Sequence, residues 1–316
     1  MNALIEGCGA VGLAIAAAIY DFGWKVDFKA EGKTKDAIIS NGVIRRGLFK
    51  EVIIPNEEIT AYESLDKIEN KKYDYILICS KTTSNNEIAK EIYDNSSILK
   101  ENGKIVIFQN GWGNDEAFLK YFSRNKIYSA RVITGFRRPE RHISEITVHA
   151  APILIGSIYG EEIQSVTPLA EAINEGGIPC QITDEVAKAL WAKMLYNCSL
   201  NPLGAILNLT YGQLAESEHT KFIMNKIIEE IYEVMKFGGY ESYWSDAEEY
   251  KKVFYKELIP PTYNHRSSTL QDIERKIKTE IDTLNGSVVK LAEKSNIKVP
   301  YNTMIYNMIK AIEERF

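Results

Sequence analysis

The run ALIEGCGAVGLAIAAAIYDFGWKVDF, residues 3–28, constrains the fold of this chain more than any other stretch. Ala3-Leu4-Ile5 reads as an apolar strand that ends in glycine. Val11 to Tyr20 is a strongly apolar helix stopped near Gly23, and Lys25-Val26-Asp27-Phe28 alternates as a second strand. Strand, helix and strand within about 30 residues form one βαβ unit. The second strand of such a unit returns parallel to the first, so this end of the chain is committed to an α/β sheet covered by helices. The glycines sit where the first strand gives way to the helix. Gly7 suits a tight turn, Gly9 lets a pyrophosphate approach the backbone and Gly12 permits close helix packing, with Cys8, Ala10 and Val11 supplying the intervening amides. The alternative is a glycine turn that binds nothing. The βαβ context favours a dinucleotide.

The rhythm continues through Tyr75 to Cys79, a helix around Glu87 to Tyr93, and Lys104 to Phe108, which extends a doubly wound parallel sheet of Rossmann type. Tyr128 to Val132, Ile146 to His149, Pro152 to Gly156 and Cys180 to Ile182 are strand-like and form the far edge of this domain. From Asp184 onward the pattern is helical: Glu185 to Leu200, Glu218 to Phe237, Ser245 to Tyr255, Leu270 to Ser295 and Tyr301 to Arg315. The expectation is a dinucleotide-binding domain over 1–183 and an all-α domain, for substrate and dimerisation, over 184–316.

With 316 residues, 45% of them hydrophobic, the chain has material for two cores. Its net charge of −5 and the absence of a long Lys/Arg run exclude a nucleic-acid footprint. No apolar run reaches the ~18 residues of a membrane span, and the short N-terminal strand lacks the features of a signal peptide. Cys8, Cys79, Cys180 and Cys198 are scattered, which points to reduced thiols rather than disulfides or zinc. A cytoplasmic protein is expected, with a homodimer as an open possibility and neither nucleic acid nor membrane as a partner.

Glu31 lies about 20 residues past the glycines, where an acid accepts from the ribose 2′-hydroxyl of NADH, yet Lys29 and Lys33 beside it could hold the 2′-phosphate of NADPH. In DEVAKALWAKMLYNCSLNPLGAILN, Lys193, Asn197 and Asn201 recur at four-residue intervals and share one face of an otherwise apolar helix. A lysine and two amides in apolar company line a cleft or pair with buried groups. An ammonium in a cleft can stabilise and then protonate the oxyanion that hydride transfer leaves on a carbonyl oxygen. Glu280 falls in the long charged helix, where periodicity alone does not distinguish it from a solvated carboxylate. Ser268 and Gln271 fit a capping box at that helix's start. Asn110, after the strand ending at Phe108, and Lys81, after Cys79, stand at the carboxyl ends of strands, where ligands of open α/β sheets collect; a turn residue and a solvated lysine are their plain alternatives. The four histidines lack metal-binding or triad spacing, so no metal is expected.

Taken together, GCGAVG, SKTT, QNG, K-x-x-x-N-x-x-x-N-P-L and S-x(11)-E-I-D-x-x-N-G resemble the ketopantoate reductases nearly end to end. The resemblance implies a Rossmann domain and a helical domain with the site between them. It also implies reduction of 2-dehydropantoate to pantoate, a step of pantothenate and coenzyme A biosynthesis, with NADPH. By that matching Lys193 is the catalytic lysine and Glu280 the carboxylate that supports it and the substrate. Asn197, Asn201 and Ser268 contact the substrate, and Lys81 and Asn110 lie near nicotinamide and substrate. Three departures stand out. Glu31 occupies the place where the family commonly presents arginine to the 2′-phosphate, so NADH and NADPH both stay open. Tyr211 replaces a substrate-binding asparagine of some members, and the stretch 136–146 replaces a glycine-proline-rich turn. A related hydroxy-acid or opine dehydrogenase, and a dinucleotide sensor without turnover, are the alternatives.

Overall fold

A computed structural model describes residues 1–316. Packing divides the chain into one unit made of Met1–Gln109 and Asn114–Val186, and another made of Asn110–Gly113 and Ala187–Phe316. The division therefore falls after Val186 rather than at 183, and four residues from the middle of the N-terminal half belong to the helical unit.

In the first unit β1 (Asn2–Glu6), α1 (Ala10–Asp21) and β2 (Lys25–Lys29) form the βαβ element, followed by α2 (Gly32–Asn41), β3 (Val43–Gly47), β4 (Val52–Ile54) and β5 (Thr60–Tyr62). Then come β6 (Tyr73–Ile78), α3 (Asn85–Asp94), β7 (Leu99–Ile107), β8 (Ile127–Arg131), β9 (Thr134–Arg137), β10 (Ile143–His149), β11 (Ile153–Gly156), α4 (Thr167–Glu175) and β12 (Cys180–Ile182). Eight strands make one sheet in the order β12-β11-β8-β7-β6-β1-β2-β5, parallel except where β11 meets β8. β1 is central, and its alternation decides the layering. Ala3 and Ile5 face the core that contains α1 and α4, whereas Leu4 faces the core that contains α3. Helices on both faces make the sheet doubly wound, as expected.

The sequence pattern missed a second sheet, ordered β4-β3-β10-β9. Ile146 to His149 belongs to it rather than to the edge of the main sheet. Its Val43, Ile54 and Ile146 share the core of α1, which is why Leu13 to Ile19 of that helix are buried all round. The charged VIRRG sequence of β3 hid this layer, because its Arg45 is fully buried. The Arg45 guanidinium donates to the carbonyls of Gly176, at 2.6 Å, and Lys50, at 2.9 Å, and burial lowers its pKa.

The second unit comprises α5 (Val186–Leu207), α6 (Tyr211–Glu216), α7 (Glu218–Gly238), α8 (Ala247–Val253), α9 (Ser268–Glu274), α10 (Asn285–Lys294) and α11 (Pro300–Glu313). α5 runs through Pro202, beyond the expected end at Leu200. Proline leaves the Cys198 carbonyl without its helical donor, and the Asn285 side chain supplies one at 3.2 Å. The expected continuous helix from Leu270 to Ser295 is broken. Lys276 adopts φ 55°, and its N–H and that of Ile277 donate back to Ile273 and Asp272, which closes α9 in a Schellman turn. Buried Glu313 then accepts the N–H and hydroxyl of Thr279 and holds the following stretch out of helix. Ser268 is not the cap either. Ser267 accepts from the Leu270 N–H, and Ser268 is the exposed first residue of α9. No helix is long and apolar enough to cross a membrane.

Arg45→Ala strands two carbonyls and opens a cavity under the second sheet. We expect it to lower unfolding free energy by about 2–4 kcal/mol in urea titration. An unchanged midpoint contradicts the role given to this side chain.

Candidate active site

The glycine turn closes the first unit's central strand. Gly7 has φ 101°, and a Cβ there would lie 2.3 Å from the Ser80 nitrogen; a Cβ on Gly12 would lie 2.2 Å from the Gly7 oxygen. The protein's own packing requires both glycines. Gly9 is different, since its φ of −77° and ψ of −175° suit any residue and nothing lies within 4 Å of where its Cβ would stand. Gly9 also occupies the N-cap of α1, where Ser or Asp would stabilise the helix, and no side chain caps that end. Open space over an uncapped helix N-terminus is what a bound pyrophosphate needs, so the residues present fit a dinucleotide. The surrounding charges agree. Burial pushes the Glu6 carboxyl up to about 8, so it is mostly uncharged at neutral pH and adds little repulsion against an anion. Burial also pushes the Cys8 thiol up to about 12, which makes it an inert packing group. Lys81 is exposed just beyond Ser80, beside the turn. Glu31 caps no amide with its side chain and instead accepts from Lys29 Nζ at 2.5 Å.

Within the helical unit, a chain of donors and acceptors joins three of the expected residues. Lys193 Nζ donates to Asn110 Oδ1 at 2.5 Å, and Asn110 Nδ2 donates to Glu280 Oε2 at 2.9 Å. The order is dictated by chemistry, because an ammonium can only donate and an ionised carboxylate can only accept; the amide must turn its oxygen to one and its nitrogen to the other. All three side chains are half-buried, shielded from bulk water yet reachable.

Asn110 is held by its backbone. Gly111, with φ 96°, packs so closely on Thr283 that a Cβ would meet the Thr283 carbonyl at 2.3 Å. The Trp112 N–H donates to that same carbonyl at 2.8 Å, the Thr283 hydroxyl to Asn110 O at 3.3 Å, and the Ser287 hydroxyl to Trp112 O at 2.7 Å. Trp112 also packs on Trp191 and Tyr240, with ring centroids 5.0 and 5.1 Å away. The non-helical stretch that carries Glu280 thus also fastens the turn that carries Asn110.

Asn197 lies half-buried one turn of α5 beyond Lys193, and its amide engages no protein partner. Asn201, another turn on, is only 3% exposed and accepts from the Tyr211 hydroxyl at 2.5 Å. The Ser267 hydroxyl donates to Asn201 O at 2.9 Å and brings Ser268 beside that turn. Sequence reasoning missed the fastening residues Thr283, Ser287 and Trp112. It also missed the reciprocal amide pair of Gln109 and Asn85, which ties the segment after β7 to the start of α3, while Gln109 also donates to the Ser80 carbonyl just past β6. The Q-N-G-W-G-N run was the one available signal, with aromatic and amide residues crowded around two glycines.

Comparison with known proteins decides the family. A family model described as ketopantoate reductase PanE/ApbA matches residues 3–159, and its C-terminal counterpart matches 185–313. The 2-dehydropantoate 2-reductase of Aquifex aeolicus is 36% identical over 99% of this chain and 97% of its own length. The chain belongs to the ketopantoate reductase family. Ketopantoate reductases are oxidoreductases that reduce 2-dehydropantoate to pantoate with NAD(P)H. The Archaeoglobus fulgidus 2-dehydropantoate 2-reductase is 26% identical over 98% of this chain and 97% of its own. Among solved structures, a PanE/ApbA family ketopantoate reductase from Ralstonia eutropha JMP134 has the same fold, with TM-score 0.84 and 24% identity over 100% of this chain and 99% of that one. A D-mandelate dehydrogenase bound to NADH and anilino(oxo)acetate has it too, with TM-score 0.85 and 19% identity over the same shares.

Gly7→Ala and Gly9→Ala separate the two kinds of glycine in this ketopantoate reductase turn. Gly7→Ala is expected to lower the melting temperature by several degrees, since strain at a positive φ and a backbone clash cost about 1–3 kcal/mol or more. Gly9→Ala is expected to melt within about 2 °C of the parent, because surface changes lie within ±0.5 kcal/mol, while weakening dinucleotide binding. Equal thermal losses for both contradict this division of roles.

Proposed function

We propose that this chain reduces 2-dehydropantoate to pantoate and that Lys193 supplies the proton. The observation that carries the reading is the half-buried run from Lys193 through Asn110 to Glu280. A reduced nicotinamide dinucleotide, bound at the glycine turn through Gly7 to Gly12, supplies the hydride for C2. As negative charge grows on the C2 oxygen, the Lys193 ammonium stabilises it and then gives up a proton. Asn110 restricts the ammonium to one direction, so little reorganisation is needed when charge develops. Glu280 fixes the amide and balances the lysine charge, and its second oxygen is left to accept from a substrate hydroxyl. Asn197, whose amide is uncommitted, is placed to hold the substrate carboxylate, with the Asn201 amide further along α5 and Ser268 at the start of α9 at its other end. Lys81 is assigned to the nicotinamide side of the dinucleotide. We place the protein in the cytoplasm, in keeping with its four free thiols.

Tyr211 favours a second reading of the substrate. Its buried phenol occupies the Asn201 oxygen where a smaller side chain would leave room, which suits another branched or aromatic 2-oxo acid. Steady-state rates with 2-dehydropantoate, 2-oxo-3-methylbutanoate and phenylglyoxylate separate the two. The first reading expects kcat/KM highest for 2-dehydropantoate.

Lys193→Ala is expected to lower kcat with 2-dehydropantoate by about 10²–10⁴, the usual range for losing a general acid, with dinucleotide affinity unchanged. An unaltered rate ends the proposal for Lys193.

A further inference from the structure

The three hydrogen bonds that fasten the Asn110 turn run to Thr283 and Ser287, and none of them reaches α5, where Lys193 stands. The turn meets α5 through a ring instead. Trp112 lies 5.0 Å, centroid to centroid, from Trp191, which is fully buried two residues before Lys193. Residues two apart on a helix point about 200° from one another, so Lys193 on Asn110 and Trp191 on Trp112 grip α5 at two points around its girth. One hydrogen bond leaves a helix free to turn about its axis; contacts on two sides do not. The Trp191 indole N–H is buried without an acceptor, so packing holds the ring there against the cost of an unsatisfied donor.

A third ring closes on this pair. Tyr240 stacks on Trp191, with centroids 4.9 Å apart and 28° between the planes, and meets Trp112 edge-on at 5.1 Å. Both are arrangements that aromatic quadrupoles favour. The local sequence delivers the ring. α7 ends at Gly238, Gly239 follows with φ 69°, and the Tyr240 N–H donates to the Met235 carbonyl at 2.8 Å, a Schellman closure that folds the chain back onto its helix. Gly238 makes the seat, since a Cβ there would lie 2.4 Å from the Tyr240 ring. The next residue, Glu241, pairs with Lys188 of α5 at 3.1 Å, but in water such a pair adds little. The Tyr240 hydroxyl makes no hydrogen bond to the protein, so its ring is what it contributes.

We propose that Tyr240 is a positioning residue for the proton transfer: its ring, seated over Gly238, clamps Trp191 against Trp112 and so keeps the Lys193 ammonium on the Asn110 oxygen. The proposal rests on the reading of Lys193 as the proton donor. Tyr240 acts through two other rings rather than on the reacting atoms, and its effect belongs in kcat rather than in dinucleotide binding.

Steady-state kinetics with 2-dehydropantoate, run with NADPH and with NADH, test this in four variants. Tyr240→Ala is expected to lower kcat by about ten- to a hundredfold, the scale of a misplacement of about 1 Å, with the KM for the dinucleotide within about twofold of the parent. Tyr240→Phe keeps the ring and is expected to keep kcat within about twofold. Gly238→Ala is the sharper variant, and it decides the matter if Tyr240→Ala does not fold. Alanine favours the last helical turn over glycine, and the added methyl displaces only a side-chain ring, so the melting temperature is expected to stay within about 4 °C while kcat falls about tenfold. In a Lys193→Ala background, Tyr240→Ala is expected to cost less than about twofold more, because no ammonium is left to position. Full activity in Gly238→Ala, a loss in Tyr240→Phe equal to that in Tyr240→Ala, or an undiminished loss in the Lys193→Ala background overturns the proposal. Full activity in Lys193→Ala alone overturns the reading of the proton donor as well, which keeps the two failures distinct.

Discussion

The position of one amide, that of Asn110, underlies the chemistry assigned to this protein. An ammonium is a poor positional device by itself, since four rotatable bonds leave it free to wander and water competes for each of its protons. Asn110 Oδ1 removes that freedom, and Glu280 removes the freedom of the amide to flip. Neither constraint would hold if the backbone of Asn110 could move. Three hydrogen bonds, from the Trp112 N–H to the Thr283 carbonyl, from the Thr283 hydroxyl to Asn110 O and from the Ser287 hydroxyl to Trp112 O, together with a glycine that admits no side chain, hold it in place. The electrostatics of the site are therefore built from backbone outward.

The glycine turn shows a comparable economy. Two of its glycines satisfy the protein, and one leaves space over a helix end whose amides have no side-chain cap. Neighbouring charges are quieted rather than deployed: Glu6 is mostly protonated at neutral pH, and Lys29 and Glu31 pair with each other.

How much of this was legible in the chain follows from how local each signal is. The βαβ unit, the doubly wound sheet and the stripe of Lys193, Asn197 and Asn201 depend on periodicity within one element, and periodicity is written in consecutive residues. Glu280 was out of reach by that route. The helix expected to carry it stops short because Lys276, not a glycine, adopts a left-handed conformation and because Glu313, some thirty residues away, captures Thr279. Pro202 similarly looks like a helix end until Asn285 is seen to satisfy the carbonyl that it frees. The small sheet escaped because burying Arg45 against two carbonyls makes a charged strand behave as a core strand. For the carboxylate, motif likeness succeeded where periodicity failed, since the spacing of S-x(11)-E-I-D-x-x-N-G preserves a non-helical arrangement that helical spacing conceals.

The central claim is that Lys193 and Glu280 act as a unit through Asn110, and a double-mutant cycle on kcat tests it most directly. If the unit is real, Lys193→Ala and Glu280→Ala combined should be no more than a few-fold slower than the slower single variant, because residues that act together lose their effect together. Losses that simply multiply would mean that the ammonium and the carboxylate work independently, and the relay through Asn110 would have no part in the chemistry.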